Sequence, residues 1–330
     1  MKKFVFLGVV SFFHYFFLAH AMMTPIRNDQ ELGELFDRDH LGNIQKLQLS
    51  YIAIDPELLM RIPSGLTELS MYKVRDLNGD VFTARDLLMH EALEVLRLKY
   101  QKIGDWEASI IAQLPKLRVL EVSYNQITSI GFRELVNMKQ LENLDLTYNR
   151  VGYFGSIAFT PSSTIKKLVL NHNNIDPLAA SCISKLQGVI DLDLSFNQIE
   201  DTGAEYISTM MGLTSLDLSS NKITDVGARY VSHMQFITTL KLRENFIGDE
   251  GAADISTMQG LTTLDLRFNR IGVLGAQHLL RMEIIPNLML DFIESDRSHN
   301  ILDRQEESLE LGWNLFRNFL HCFYVFFRWV

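Results

Sequence analysis

The sequence predicts an α/β solenoid, a curved stack of coils with parallel β-strands on its concave face and short helices on its convex face. Three observations predict it. LDLSSNKITDVGA at 216–228 returns as LKLRENFIGDEGA at 240 and as LDLRFNRIGVLGA at 264, a constant step of 24 residues. Within each unit the apolar residues first alternate and then recur every third position. One asparagine holds the same place in seven successive units. Self-similarity at a fixed short period marks an array whose units bury their apolar sides only against one another.

Counting position 1 from the leading apolar residue, the units start at Leu93, Leu117, Leu141, Ile165, Val189, Leu213, Ile237, Leu261 and Ile285. Two looser units precede them, one around Ile44, Leu47 and Leu49, the other around Leu66, Leu69 and Met71 and stretched to 27 residues. Apolar residues at positions 1, 4 and 6, such as Leu216 and Leu218 between Ser215, Asp217 and Ser219, give the period-two pattern of a strand with one buried face. Position 11 is Ile or Val, and positions 16, 19 and 22 carry Ala, an aliphatic residue and often Met, as in Ala228, Val231 and Met234. That three-residue spacing predicts a short helix.

Asp105, Asp201, Asp225 and Asp249 share position 13, where a carboxylate is expected to cap the first turn of its own helix. Asp176 followed by Pro177 is the equivalent start in another unit, because proline at a first helical position sacrifices only an N–H that has no partner there. Position 9 carries Asn125, Asn149, Asn173, Asn197, Asn221, Asn245 and Asn269. An amide both donates and accepts, so a buried ladder of them can satisfy the backbone of the turns between adjacent coils.

The pattern LxxLxLxxNxI followed by a short helix resembles the leucine-rich repeat, over residues 44 to about 292. With TDVGA at 224–228 and GDEGA at 248–252, it is most similar to the bacterial 24-residue type with a Gly-Ala helix start, related to ribonuclease-inhibitor-like repeats. The resemblance implies a horseshoe that binds a macromolecular partner, without naming the partner. Gln101 departs from it at position 9, Phe132 and Ser156 depart at position 16, and FTPSSTIKK predicts an irregular convex side around 153–164.

Outside the array, residues 1–21 have Lys2 and Lys3, an apolar run from Phe4 to Leu18, and Ala19 and Ala21 around His20. This reads as a secretory signal cut after Ala21, hence an exported protein, periplasmic or secreted; an uncleaved membrane anchor and action within a host cell are the alternatives. Residues 22–43 form an N-terminal cap, 44–302 the solenoid, and 303–330 an aromatic tail or cap. The last twenty residues, LGWNLFRNFLHCFYVFFRWV, are too polar for an ordinary span and too apolar to remain in water. They either cap the last coil's open core, or contact a membrane through 311–330, or meet a partner.

The net charge is −9, or −11 without Lys2 and Lys3 (29 basic against 40 acidic residues), which disfavours nucleic acid as a partner. Cys182 and Cys322 lie far apart and indicate neither a disulfide framework nor a metal site. DLNGDVFTARDL at 76–87 lacks the glycine and terminal glutamate of a calcium loop and reads as a turn at Asn78-Gly79. His90 and Glu91 have no second histidine four residues on. No catalytic group, cofactor or metal is expected.

A protein partner on the concave face is the function these features predict, with a bacterial effector that selects substrates for host ubiquitin ligation or GTPase regulation as the alternative. Eleven strands about 4.8 Å apart would give an inner arc of roughly 50 Å. Its columns supply the candidate site. Position 8 reads Tyr100, Tyr124, Tyr148, His172, Phe196, Ser220, Glu244, Phe268 and Phe292, whose rings either form a contact patch or stack on one another and close the sheet edge. Position 5 reads Arg97, Glu121, Asp145, Val169, Asp193, Asp217, Lys241, Asp265 and Met289, an acidic stripe suited to a basic partner or merely solvated strand polarity. Lys241, Arg243, Arg267 and Arg270 make the distal end basic.

Overall fold

In the computed structural model, residues 4–6, 45–50, 53–54, 65–76, 84–152, 164–282 and 285–291 are described. The proposed cap at 22–43, the turn at Asn78-Gly79, the convex segment 153–163, Phe292, Cys322 and the aromatic tail lie outside them, as does all of the proposed signal except Phe4–Phe6.

Strands recur coil by coil, and in the regular coils from Leu93 to Leu261 each is built on a buried leucine. In chain order these are β1 (Phe4–Phe6), β2 (Lys46–Ser50), β3 (Ala53–Ile54), β4 (Glu68–Tyr72), β5 (Arg75–Asp76), β6 (Val95–Lys99), β7 (Val119–Glu121), β8 (Asn143–Asp145), β9 (Lys167–Val169), β10 (Asp191–Asp193), β11 (Ser215–Asp217), β12 (Thr239–Lys241), β13 (Thr263–Asp265) and β14 (Asn287–Met289). All except β3 and β5 join one open, parallel sheet of twelve strands among the described residues. The register is the sequence period itself: Leu120, Leu144, Leu168, Leu192 and Leu216 pair in line across five strands. β3 and β5 make a separate two-stranded sheet in the irregular early coils.

The twelfth strand was not among the eleven expected. β1 pairs in parallel with Lys46–Gln48 at the sheet's first edge, from within the segment read as an export signal. A chain cut after Ala21 lacks β1, and β2 is then its edge.

A 3-10 helix at Ala84–Met89 precedes seven α-helices among the described residues: α1 (Asp105–Ile111), α2 (Ser129–Val136), α3 (Pro177–Ile183), α4 (Glu200–Ser208), α5 (Asp225–Ser232), α6 (Asp249–Ile255) and α7 (Val273–Leu280). Each turns position 16 and position 19 inward, for example Ala228 and Val231 in α5. One continuous apolar interior runs from Leu47 to Leu279. Phe132 takes the usual alanine site and is fully buried in that interior.

The position-13 aspartates do not cap their own helices, contrary to the expectation. Asp105 is already helical, and its carboxylate accepts from Thr128 N at 2.8 Å, Gly131 N at 3.0 Å and Thr128 Oγ1 at 2.6 Å, all at the start of the next helix. Asp201 does the same for Thr224 and Gly227. Asp225 serves Gly248 and Gly251, and Asp249 serves Gly272 and Gly275. Each carboxylate therefore meets the unpaired N–H groups and positive dipole end of its neighbour's helix. A Cβ on Gly227 would stand 2.5 Å from Asp201 Oδ1, and one on Gly251 2.6 Å from Asp225 Oδ1, so the glycine of each Gly-Ala start leaves room for the cap. Asp176 alone follows the expected plan, accepting from Ala179 N at 2.7 Å within its own coil.

Candidate functional site

The asparagines at position 9 fix where each strand ends. Asn125 Oδ1 accepts from Gln101 N and Ile103 N in the preceding coil, while Nδ2 donates to Leu98 O in that coil and to Val122 O and Ser123 O in its own. Asn149 to Asn269 repeat the bridge to the preceding coil, each donating back to the carbonyl at its position 6. Gln101, one methylene longer, is buried with Oε1 unpartnered.

This turn holds position 8 in the left-handed region: φ is 57° at Tyr100 and Tyr124, 54° at Tyr148 and His172, and 56° at Phe196. A non-glycine residue there costs on the order of 1 kcal/mol. The repeated conformation aims successive rings along one rim of the sheet, and they stack. Centroids are 4.2 Å apart for Tyr100–Tyr124, 4.4 Å for Tyr124–Tyr148, 4.0 Å for Tyr148–His172 and 4.3 Å for His172–Phe196, all within 13° of parallel. Tyr72 closes the near end edge-on to Tyr100. The faces of Tyr124, Tyr148 and His172 are therefore covered on both sides, and the rings offer the outside mainly their edges. Burial pushes the His172 imidazole below its ordinary value, against an opposing pull from Asp193.

On the concave face the acidic stripe has a structural occupation that sequence reading missed. Asp145, Asp193, Asp217 and Asp265 each accept from the backbone N–H two residues on, at Thr147, Ser195, Ser219 and Arg267. The recurring Asp-x-(Ser/Thr) was the available signal, since a short carboxylate followed two residues later by a free amide is a local turn device. Burial raises the Asp193 carboxyl above its usual range and Asp217 adds to this, opposed by the hydrogen bonds of Ser195 and the charge of Lys241.

Toward the first edge the charges alternate in sign from coil to coil. Lys46 and Arg97 both pair with Glu68, and Arg97 also pairs with Glu121 at 2.9 Å, which Lys99 approaches at 3.4 Å. Burial opposes ionisation of Glu68, but hydrogen bonds from Lys46 and Arg97 outweigh it and hold the carboxyl below its usual value. Two open depressions flank this network, one of about 360 Å³ over Gln48, Ser70 and Lys99, the other of about 330 Å³ over Asn143, Asp145 and Lys167.

The residues of the distal basic group are brought near acids rather than to one another. Lys241 pairs with Asp217, Arg243 with Glu244 and Arg267 with Asp265. Phe268 stands apart from the main stack, with the Arg243 guanidinium 4.7 Å from its ring, and Arg270 lies over Phe246. Position 10, unread in the sequence, forms a second exposed column beside the rings: Lys102, Gln126, Arg150, Asn174, Gln198 and Lys222. Among the described residues no group of His, Cys, Asp and Glu is arranged to hold a metal, and no helix is long and apolar enough to cross a membrane.

Comparison with known structures places the fold. The chain is similar to an internalin (inlF) from Listeria monocytogenes, at 19% identity and a TM-score of 0.53 over 77% of this chain and 82% of that one. It is similar to mouse RP105, solved in complex with MD-1, at 18% identity and a TM-score of 0.51, covering 73% of this chain but 49% of that one. The plant peptide hormone receptor RGFR1, in complex with RGF2, gives 17% identity and a TM-score of 0.47, with 45% of its length covered. No curated protein sequence gives a significant match. The leucine rich repeat profile matches residues 91–151, 163–223 and 211–271, together just over half of the chain. With the 24-residue register, the asparagine ladder and the open parallel sheet, this establishes that the chain belongs to the leucine-rich repeat family.

Proposed function

We propose that this protein is an exported, non-catalytic recognition scaffold of the bacterial Gly-Ala repeat type, and that its concave sheet takes a protein partner. The observation that carries the reading is the fixed state of the concave side chains. Four position-5 aspartates are locked to their own backbone, and Glu68, Arg97 and Glu121 are locked to one another. A surface whose side chains are ordered before contact loses little conformational entropy on binding. Its mixed signs favour a partner of matching pattern over a uniformly charged one. Export rests on the basic, apolar and small-residue sequence of 1–21.

Photo-crosslinkers placed singly at Asn143 and Val169 on the sheet, and at Glu205 and Arg229 on the helices, test the surface in cells that make the protein. One discrete adduct from the sheet positions and none from the helix positions is the expected result. The opposite pattern overturns the assignment. Sequencing the mature N-terminus tests export: a chain in the periplasm or medium that starts at Met22 is expected, and a cell-retained chain that keeps Lys2 refutes it.

A further inference from the structure

The rim formed by positions 8 and 10 differs from the rest of a net-acidic molecule. From Tyr100 to Gln198 these two columns hold tyrosines, a histidine, a phenylalanine, amides, Lys102 and Arg150, and not one carboxylate. Stacking turns the positive edges of the rings outward, because the negative faces are covered. The hydroxyls of Tyr124 and Tyr148 make no hydrogen bond to a described residue, and Lys102 and Arg150 make no ion pair with one. The neighbouring concave carboxylates, Asp145 and Asp193, accept from Thr147 and Ser195 N–H, and Asp176, two residues beyond the rim, is committed to Ala179 N. Glu200 is an exposed acid just outside the rim, in the coil of Phe196 where the ring stack ends and two coils beyond Arg150.

We propose that this rim binds an extended acidic peptide segment of the partner, running across the coils with carboxylates on Lys102 and Arg150 and its backbone carbonyls on Gln126 and the tyrosine hydroxyls. The proposal rests on the recognition role argued above and adds the chemistry of one part of the partner. Spacing gives it a register. Lys102 and Arg150 are two coils apart, which at about 4.8 Å per strand is roughly 10 Å; the rings beside them advance 4.2 and 4.4 Å. An extended or polyproline chain covers that distance in about three residues, so acids at every third position match the two cations. A protein of net charge −9 with concave acids close by does not suit a dense polyanion, whereas spaced carboxylates meet only the rim.

The test is fluorescence anisotropy of the purified protein with a labelled peptide that carries glutamate at every third position, and with its glutamine counterpart. The glutamate peptide is expected to bind about tenfold more tightly than the glutamine one, with an affinity that falls as salt rises. Lys102→Glu with Arg150→Glu should abolish that preference, and Lys185→Glu, exposed just after α3 and outside both columns, should leave it intact. Lys102→Gln with Arg150→Gln gives the same answer without reversed charge, should the first pair disturb folding. Equal binding of the two peptides, or a preference that survives both double substitutions, overturns the proposal. So does a duplex DNA or sulfated glycan that binds as tightly as the peptide and loses binding in the same variants. If the sheet crosslinkers still capture a partner while the peptide fails, only the rim assignment falls. If the peptide binds and the crosslinkers capture nothing, the concave assignment falls instead.

Discussion

Replacing Asp225 by alanine should loosen α6 rather than α5, the helix that contains the residue. The carboxylate accepts from Gly248 N at 2.6 Å and Gly251 N at 2.9 Å, the first turn of α6. Hydrogen bonds to a charged group are worth about 1.5–3 kcal/mol each, and the freed amides recover part of that from water, so a net loss of about 2–3 kcal/mol is expected. Gly251→Ala attacks the same contact from the other side. Its Cβ would lie 2.6 Å from Asp225 Oδ1, 2.8 Å from Ile247 Cγ2 and 3.0 Å from Ala228 Cβ. Overpacking of about 1–3 kcal/mol is set against a helix-propensity gain of about 1 kcal/mol. In the double variant the tightest of the three contacts is gone, so its loss should be less than the sum of the singles by about 1 kcal/mol. Urea unfolding followed by circular dichroism gives the energies, and hydrogen exchange gives the location. Additivity within about 0.3 kcal/mol, or faster exchange in Asp225–Ser232 with Asp249–Ile255 unchanged, would refute the relay.

Other expectations test the ladder and the titrating groups. Asn221→Ala strips partners from Ile199 N, Leu194 O and Ser219 O, all buried, and should cost about 3 kcal/mol or more in urea unfolding. Gln101→Asn should add about 0.5–1.5 kcal/mol in the same assay by replacing an unpartnered buried oxygen with a ladder amide. Asp193→Asn should stabilise the fold at neutral pH, since the ionised form is the penalised one; the advantage shrinks as pH falls through the raised folded pKa toward the unfolded 3.8. His172→Phe should match the native protein above pH 6.5 and exceed it below, because a depressed folded pKa makes the native histidine lose stability as pH falls through its unfolded value. Thermal melts across that range check both.

Register and core were legible because each is a property of one coil repeated. Leu120, Leu144 and Leu168 fall in line as soon as the period is known, and Ala228, Val231 and Met234 announce their inward face by spacing alone. The aspartate relay was misread because a capping residue is sought three residues before its amides, whereas Asp225 reaches amides 23 and 26 residues on. The clue was the pairing of Asp225 with Gly251 and of Asp249 with Gly275, a glycine held wherever the previous coil supplies a carboxylate. The rim rings were visible as a column, but their stacking depends on the left-handed turn at Tyr124 and Tyr148, which no residue type announces. The aspartates at position 5 looked like a charged stripe because sequence shows charge and not the Thr147 or Ser195 amide that uses it.

The aspartate relay reaches forward to the next coil and the asparagine ladder reaches back to the preceding one, so both last only while coils follow in register. The relay stops at Asp249, because α7 begins with Val273, and the ladder stops at Asn269. Beyond them β14 brings only half-buried apolar residues: Ile285, Leu288 and Leu290 stay partly exposed where Leu240 and Leu264 are fully covered. Completing the burial of three such side chains is worth about 1 kcal/mol each. We propose that the aromatic residues after 303 do it; Arg317 and Arg328 among them disfavour a crossing of the bilayer. A chain ending at 302 should therefore lose about 3 kcal/mol in its last coils, seen as faster exchange in Thr263–Asp265 and Val273–Leu280 while Val119–Glu121 is unchanged. Unchanged exchange there, together with loss of binding to anionic lipid vesicles, would assign the tail to a membrane surface and leave the last coil covered by something outside this chain.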